Sequence, residues 1–285
     1  MSSPKRLETA SNIVELRLRV RLWRNKGDRI TLVPTMGALH EGHLAHLRAA
    51  KARAERVVVS IFVNPAQFAP HEDFGRYPRD LTKDRAMLEQ QGEADLIYAP
   101  ELREMYPEGF ATRVAVDGPA AGLETDFRPH FFSGVATVVT KLFVQCAPDF
   151  ATFGEKDYQQ LLVVKRLVKD LDLPMEIIPV PTIREPDGLA QSSRNAYLNP
   201  GQRKIAAHLN RALRAAGDAA KTGAPIPQAE SEGAAALLNA GFDRVDYVAI
   251  RDAETLAPIN ALQQPARVLA AARIGGVRLI DNMAV

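Results

Sequence analysis

Two histidines three residues apart, His40 and His43, are the first residues in the chain whose types and spacing could do chemistry. Side chains at positions i and i+3 share one face of a helix. Gly42 between them has no Cβ, so a flat ring could lie against the backbone there. Two imidazoles beside the N–H groups of a helix N-terminus predict a site for a phosphate group and a base. The same spacing is also common in histidines that only pack or face solvent.

A strand, a turn and a helix would position these two side chains. The apolar run Ile30–Val33 predicts a short strand, Pro34 and Gly37 predict a turn, and the periodicity predicts an amphipathic helix that begins near Glu41. In this order the helix N-terminus lies at the carboxyl edge of a sheet, where α/β proteins bind phosphates.

A second strand ends in polar side chains. Arg56–Val63 is a nearly continuous β-branched run, typical of a buried parallel strand, and Asn64 and Gln67 follow it. Ligand contacts in α/β enzymes lie at such strand ends, although Asn64 before a proline is also ordinary turn chemistry. The polar loop over residues 71–80 could cover a site at this edge.

The strand–turn–helix pattern occurs again later in the chain. Asp149–Phe153 predicts a strand, Gly154–Tyr158 (GEKDY) a turn that carries Lys156 and Asp157, and Gln159–Asp170 a helix. A lysine beside an aspartate at a helix start is also typical of a surface ion pair. The turn therefore predicts either a phosphate contact or an exposed pair.

The fold class follows from the order of the predicted elements. Alternating strands and helices up to Met175–Val180 predict an α/β domain with a Rossmann-like parallel sheet and helices on both faces. Beyond it, alanine-rich helices and three strands predict a smaller C-terminal α+β domain without a convincing site of its own. We expect domains at residues 1–181 and 182–285, an irregular stretch over 101–122 and one helix over 203–221.

Composition narrows the function classes. The chain has 285 residues, 46% hydrophobic and 25% charged, as in a soluble globular enzyme, and its formal net charge is +2. That balance argues against a protein that coats nucleic acid or an anionic membrane. The single cysteine, Cys146, excludes an internal disulfide and a cysteine-based zinc site. Because no leader-like or membrane-length apolar run occurs, we expect a cytoplasmic protein with neither nucleic-acid nor membrane partners.

Neither GxxxxGK[ST] nor GxGxxG occurs, so the motifs exclude a P-loop enzyme and an ordinary dinucleotide dehydrogenase. The HxGH turn, the GEKD turn and an SSRN loop instead suit the binding of a nucleoside triphosphate while its α-phosphorus is attacked. That transition state carries negative charge on the α-phosphate and on pyrophosphate, which fixed cations and N–H donors stabilise. The candidate cations and donors on these segments are His40, His43, Lys156, Ser192, Ser193 and Arg194.

Four motifs in order extend this interpretation. PTMGALHEGH, SIFVNPAQF, TFGEKDYQQ and DGLAQSSRNAYL, between Pro34 and Leu198, resemble the pantothenate synthetase (pantoate–β-alanine ligase) family. The segment His40–His43 is similar to the HIGH motif of class I aminoacyl-tRNA synthetases and related nucleotidyltransferases, and Ser192–Arg194 to their mobile KMSKS loop. The resemblance implies the Rossmann-like fold of that superfamily, with the C-terminal domain as a lid.

The resemblance also implies a two-step reaction. Pantoate attacks the α-phosphorus of ATP to give pantoyl adenylate and pyrophosphate, with Mg²⁺ held mainly by the phosphates. The amine of β-alanine then attacks the acyl carbon and releases pantothenate and AMP. Because the mixed anhydride would hydrolyse, the site must exclude water. The family further implies a homodimer.

Site residues carry over from the family position by position. The implied catalytic residues are His43, His40, Lys156 and Arg194. The residues implied to bind pantoate and β-alanine are Gln67, Gln160, Asn64 and Tyr77. The residues implied to bind ATP are Met36, Gly37, Ala38, Leu39, His40, Glu41, Gly42, His43, Gly154, Glu155, Lys156, Asp157, Ile183, Gln191, Ser192, Ser193 and Arg194. Among these, Lys156 would contact the phosphates, Asp157 the ribose, and the backbone of Ile183 the adenine.

One segment departs from the family pattern, which reads RPGHFxGV. Arg128–Val135 reads RPHFFSGV, so Phe131 stands at the expected histidine and His130 replaces a glycine. We therefore assign no role to His130.

Two alternative functions stay open at this point. Another HIGH-class adenylyl or cytidylyl transferase would share the ATP residues but would need Arg or Lys where Gln67 and Gln160 stand. A non-catalytic nucleotide-binding module would not need His43, Lys156 and Arg194 together.

Overall fold

The computed structural model of the protein describes residues 7–69, 72–262 and 265–285, and these residues form two compact units. The N-terminal unit contains the described residues up to 120 together with 128–154 and 163–180. The C-terminal unit contains residues 121–127, 155–162 and the described residues from 181 onward. Within the described part of the chain, none of the helices could span a membrane.

A parallel sheet forms the centre of the N-terminal unit. Its strands among the described residues are β1 (Thr9–Ala10), β2 (Ile30–Thr35), β3 (Arg56–Ile61), β4 (Leu96–Tyr98), β5 (Phe150–Gly154) and β6 (Glu176–Val180). Their order across the sheet is β1-β4-β3-β2-β5-β6. Val57, Val58 and Val59 of β3 are all buried, so the β-branched run is covered on both faces as a central parallel strand requires.

Helices follow most of these strands. In chain order the described helices are α1 (Ile13–Arg24), α2 (Glu41–Lys51), α3 (Leu81–Gln91), α4 (Leu102–Met105), α5 (Glu124–Phe127), α6 (Phe131–Cys146), α7 (Tyr158–Asp170), α8 (Pro200–Ala206), α9 (His208–Lys221) and α10 (Ile226–Ala240). The buried side chains of α2 are Leu44, Leu47 and Ala50, whose spacing puts them on one face of the helix. That face packs on the sheet and directs the N-terminus of α2 to the carboxyl ends of the strands.

The C-terminal unit contains an antiparallel sheet of β7 (Arg244–Asp252), β8 (Ala266–Ile274) and β9 (Val277–Ala284), in that order. Residues 121–127 are attached to it by a buried ion pair, because Arg278 donates to both carboxylate oxygens of Glu124 at 2.7 and 2.8 Å. The predicted fold class, a parallel α/β sheet with a smaller C-terminal α+β part, is confirmed.

Three local predictions are wrong. The predicted turn at Pro34 is part of β2, which continues to Thr35. The stretch 101–122 contains α4, whose four residues are too few to show a period. The single helix over 203–221 is two helices, α8 and α9, separated at Ala207. Ala207 keeps helical dihedrals (φ −64°, ψ −19°), so only the hydrogen-bond pattern is interrupted and the sequence carries no stop signal.

Candidate active site

The strand order reverses between β2 and β5, and their pairing ends early. Thr31 pairs with Phe150 and Leu32 with Ala151, the last pair between these two strands. The carbonyl of Thr35 accepts from the N–H of Phe62, which follows β3, so the backbone of Thr35 faces that side. Because the backbone groups of successive residues in a strand face opposite neighbours, the backbone of Pro34 faces β5. Proline has no N–H to pair there. The two strands therefore separate before their carboxyl ends, at the switch point where α/β folds bind ligands.

His40 and His43 form a reciprocal cap at the start of α2. The Nδ1 atom of His40 accepts from the backbone N–H of Gly42 at 3.1 Å, and Nδ1 of His43 accepts from the N–H of His40 at 3.2 Å. The ring centroids lie 4.2 Å apart. The two imidazoles thus occupy backbone N–H groups that a helix N-terminus leaves unsatisfied.

These contacts determine where each neutral ring carries its proton. Since Nδ1 of both His40 and His43 accepts a hydrogen bond, the proton of the neutral ring is on Nε2. A proton on Nδ1 of either ring would break the cap. The cap is therefore compatible with rings that donate from Nε2.

The turn before these histidines has left-handed backbone at two residues, Gly37 (φ 80°) and Ala38 (φ 52°). Ala38 is strained there, because only glycine adopts this region without steric cost. The carboxylate of Asp84 in α3 holds the turn: Oδ2 accepts from the N–H of Ala38 at 3.1 Å, and Oδ1 from Leu39 at 2.9 Å. Asp84 thus sets the path of the backbone that leads into His40.

Sequence reasoning missed Asp84. In the sequence it resembles an ordinary acidic residue in the first turn of a helix, a position where carboxylates are common. The signal lies in the structure: Asp84 is buried, and burial raises the pKa of its carboxyl group above the usual value. A buried carboxylate needs such donors, and here they belong to the proposed nucleotide turn.

The two polar residues after β3, Asn64 and Gln67, are in contact. Asn64 donates from Nδ2 to Oε1 of Gln67 at 3.2 Å, and Gln67 donates from Nε2 to the sulfur of Met36 at 3.0 Å. Three predicted residues of the N-terminal unit are therefore connected. Tyr77, also predicted, is buried against the ring of Phe68, with centroids 5.9 Å apart.

The turn with Gln67 is held against α6 and by a buried arginine. Gly134 is the contact point on α6, because a Cβ there would collide with the carbonyl of Ala66. Arg128 donates to the carbonyl of Gln67 at 3.0 Å and to both carboxylate oxygens of Glu72 at 2.6 and 2.7 Å. The region that departs from the family pattern joins this packing: the guanidinium of Arg128 lies 3.9 Å from the ring centre of Phe131.

The GEKD turn belongs to the C-terminal unit from Glu155 onward. Lys156 and Asp157 form a long ion pair, with Nζ 3.8 Å from Oδ1, and the side chain of Lys156 is 21% exposed. Asn282 on β9 donates to the carbonyls of Glu155 at 2.9 Å and Lys156 at 2.8 Å. Arg267 donates to Oδ1 of Asn282 at 2.5 Å, which fixes the direction of that amide.

Asn282 and Arg267 were not predicted, since the C-terminal strands carry no motif and their partners lie far away in the sequence. Gln159 is a third residue that was missed. It is buried, accepts from the N–H of Glu124 at 3.1 Å and donates to the carbonyl of Gly122 at 3.2 Å. Its predicted neighbour Gln160 is half-buried on α7.

The loop with the SSRN motif is ordered by its own backbone. The carbonyl of Ile183 accepts from Gln191 at 2.9 Å, and Ser192 caps a 3₁₀ turn over Ser193–Tyr197 by accepting from Arg194 at 3.3 Å. The capping role of Ser192, an alternative to ligand contact, is thus present. Ser193 and Arg194 lie within the turn and are half-buried.

Two remaining features concern metals and the loop over residues 71–80. Over residues 7–69, 72–262 and 265–285, no group of three or more His, Cys, Asp or Glu could hold a metal ion. The loop forms a 3₁₀ turn at Asp73–Gly75, and His71 lies outside the described residues.

Comparisons with known proteins match the chain to one family. Residues 8–284 match the family model described as pantoate-beta-alanine ligase. The pantothenate synthetase of Mesorhizobium japonicum is 55% identical over 285 residues, 100% of this chain and 99% of that protein. That of Paramagnetospirillum magneticum is 53% identical over 98% of this chain and 99% of that protein.

Solved structures are similar over the same length. The pantothenate synthetase of Thermus thermophilus has a TM-score of 0.91 and 50% identity, covering 97% of this chain and 99% of that one. The pantoate-beta-alanine ligase of Francisella tularensis, crystallised with β,γ-ATP and β-alanine, has a TM-score of 0.81 and 34% identity, covering 97% of each chain.

Proposed function

The chain belongs to the pantoate–β-alanine ligase family, and from this premise we propose how its residues carry out the reaction of that family. The protein joins pantoate to β-alanine through pantoyl adenylate, with ATP converted to AMP and pyrophosphate. The observation that carries the assignment of roles is the turn from Met36 to His43, where two imidazoles cap a helix beside the β2–β5 switch point.

In the first step the carboxylate of pantoate attacks the α-phosphorus of ATP. His43 and His40 donate from Nε2 to phosphate oxygens, which become more negative in the transition state. The Nδ1 contacts of both rings support a hydrogen-bonding role for neutral imidazoles over proton donation by a cation. Backbone from Met36 to Gly42 approaches the nucleotide, and Glu41 begins the helix whose dipole favours the anion.

Residues of the C-terminal unit supply the remaining charges. Lys156 and Arg194 neutralise the triphosphate and the departing pyrophosphate, and Ser192 and Ser193 bind phosphate oxygens. The backbone of Ile183 contacts adenine, and Gln191 closes on the triphosphate together with Ser192, Ser193 and Arg194. Gly154, Glu155 and Asp157 contact the nucleoside, with Asp157 on the ribose. The support is the local order of both segments: Asn282 holds the carbonyls at 155 and 156, and Ser192 caps its own turn.

Amide side chains select pantoate, the acid that accepts the adenylyl group from ATP. Gln67 and Gln160 bind pantoate, Asn64 holds Gln67, and Tyr77 lies on the loop that covers the substrate. A small hydroxy acid needs both donors and acceptors, which amides supply, whereas a phosphorylated acceptor would call for Arg or Lys. The neutral pair Asn64–Gln67 supports pantoate and β-alanine over the substrates of other HIGH-class transferases.

Three further properties belong to the same proposal. Mg²⁺ enters with ATP as part of the substrate and is held mainly by phosphates. The enzyme works in the cytoplasm as a homodimer, which sedimentation of the purified protein would test. Residues 182–285 act as a lid that excludes water from the adenylate.

Pyrophosphate release tests the proposal. The purified protein with MgATP should release pyrophosphate only when pantoate is added, and AMP should accumulate with pantothenate once β-alanine is present. Release with a phosphorylated acceptor in place of pantoate would indicate another transferase. ATP binding without any release would indicate a non-catalytic module.

A further inference from the structure

Tyr106, directly after α4, ends a chain of hydrogen bonds that leads to the proposed pantoate amide. Its hydroxyl lies 2.7 Å from Oδ1 of Asn64. The ring is half-buried between Phe62 and Phe110, with centroid distances of 6.2 and 5.1 Å. Burial raises the pKa of Tyr106 to about 12, so the hydroxyl keeps its proton at neutral pH.

The amide of Asn64 has only one possible direction. Its Oδ1 accepts from the backbone N–H of Ala66 at 3.3 Å, and its Nδ2 donates to the backbone carbonyl of Gly134 at 3.1 Å. A flip would place donor against donor and acceptor against acceptor. The hydroxyl of Tyr106 must therefore donate to Oδ1, and the remaining N–H of Asn64 must point at Gln67.

The direction of Asn64 decides the direction of Gln67. Oε1 of Gln67 accepts from Asn64 at 3.2 Å, so Nε2 is turned the other way, 3.0 Å from the sulfur of Met36. A thioether is a weak acceptor, so an oxygen of a ligand replaces it easily. Arg128 fixes the backbone of Gln67 separately. The hydrogen bonds that run from Tyr106 through Asn64 to Gln67, which we call the relay, therefore act on the side-chain amide of Gln67.

We propose that Tyr106 is a positioning residue for substrate selection: through Asn64 it holds the Gln67 amide with its N–H donors, not its carbonyl, toward an oxygen of pantoate. The inference rests on the proposed role of Gln67. It adds that Gln67 acts as a donor, and that a tyrosine outside the four motifs reinforces the amide direction that the backbone at Ala66 and Gly134 already gives to Asn64.

Two variants that each remove one hydroxyl group from the wild-type protein test the proposal. Tyr106→Phe removes the start of the relay and keeps the ring packing. Tyr98→Phe is the matched control, because Tyr98 is also buried in the N-terminal unit and its hydroxyl donates to an amide oxygen, Oε1 of Gln145, at 3.0 Å. Steady-state pyrophosphate release by the full-length protein, at saturating β-alanine, gives KM for pantoate and for ATP.

Tyr106→Phe should raise KM for pantoate roughly 2- to 10-fold, as expected for one lost hydrogen bond, and leave KM for ATP unchanged. Tyr98→Phe should leave both KM values unchanged, although it should lower the free energy of unfolding about as much as Tyr106→Phe does, since each variant loses one hydrogen bond. In a Gln67→Ala background the added Tyr106→Phe change should have no further effect on KM for pantoate.

The outcomes separate the inference from the function on which it rests. If Gln67→Ala raises KM for pantoate and Tyr106→Phe does not, the relay is wrong and the role of Gln67 stands. If the effects of the two changes simply add in the double variant, Tyr106 acts by another route and the inference is overturned. If Gln67→Ala leaves KM for pantoate unchanged, both the inference and the proposed role of Gln67 fail.

Discussion

Asp84→Asn is the substitution that most directly tests how the nucleotide turn is held. The carboxylate accepts from Ala38 at 3.1 Å and Leu39 at 2.9 Å, and an asparagine has one oxygen for the two N–H groups. One bond to a charged acceptor is lost, and its place is taken by a contact between two donors. Such a bond contributes roughly 1.5–3 kcal/mol. Relief from burying a carboxylate offsets part of this loss, so we expect the free energy of unfolding to fall by about 1–2 kcal/mol.

The same loss acts on ATP binding. Ala38 has a left-handed backbone (φ 52°), which costs roughly 1 kcal/mol and depends on these bonds. When one bond is lost, the turn relaxes, and the bound geometry must be restored by the ligand. Since about 1.4 kcal/mol is a factor of ten, KM for ATP should rise about 10-fold while KM for pantoate changes little.

The assay is steady-state pyrophosphate release, with urea unfolding followed in parallel. Asp80→Asn is the control: Asp80 caps the same helix by accepting from Lys83 at 2.9 Å, and asparagine caps equally well. If Asp84→Asn changes KM for ATP no more than Asp80→Asn does, the carboxylate is not what holds the turn.

The free energy of unfolding should also depend on pH. Because burial raises the folded-state pKa of Asp84, wild type should gain stability relative to Asp84→Asn as the pH falls from 7 through that pKa.

Three further predictions concern other parts of the chain. Lys156→Ala should lower kcat by roughly 10²–10³ without changing the unfolding midpoint, since its side chain ends in a partly exposed turn; an unchanged kcat would remove Lys156 from the mechanism. Asn282→Ala frees the carbonyls of Glu155 and Lys156 and should raise KM for ATP several-fold, with Arg273→Ala on the neighbouring strand as a comparison that leaves it unchanged. Cys146 is buried and its pKa is raised to about 12, so a thiol reagent at pH 8 should modify it only in urea, and fast reaction of the folded protein would contradict that burial.

Local pattern was enough for the element that carries the histidines. Apolar positions at helical spacing, preceded by a turn, predicted a helix from Glu41, and α2 begins there. The two-fold use of His40 and His43 as a mutual cap was not predicted, because histidine is not a usual capping residue. The sequence also suggested that Pro34 ends a strand, but β2 continues to Thr35. The proline is tolerated because its nitrogen, which lacks a hydrogen, faces β5 where β2 and β5 no longer pair.

Long-range positioning residues could not be predicted from one sequence. Asp84 contacts Ala38 across 46 residues, Tyr106 contacts Asn64 across 42, and Asn282 contacts Lys156 across 126. No local pattern distinguishes these side chains from ordinary surface or cap residues. Four motifs predict which residues touch ligands, and that prediction stays to be tested, while the residues that hold these segments in place depend on tertiary contacts.

Oxygen-18 tracing tests the central claim, that pantoate attacks the α-phosphorus of ATP before β-alanine reacts. Pantoate labelled in its carboxylate would be incubated with the enzyme, MgATP and β-alanine, and the products analysed by mass spectrometry. Attack by the carboxylate leaves one of its oxygens bridging to phosphorus, and cleavage at the acyl carbon keeps that oxygen on the nucleotide. We predict one labelled oxygen per AMP formed and none in pyrophosphate. Unlabelled AMP, or label in orthophosphate together with ADP, would contradict the account.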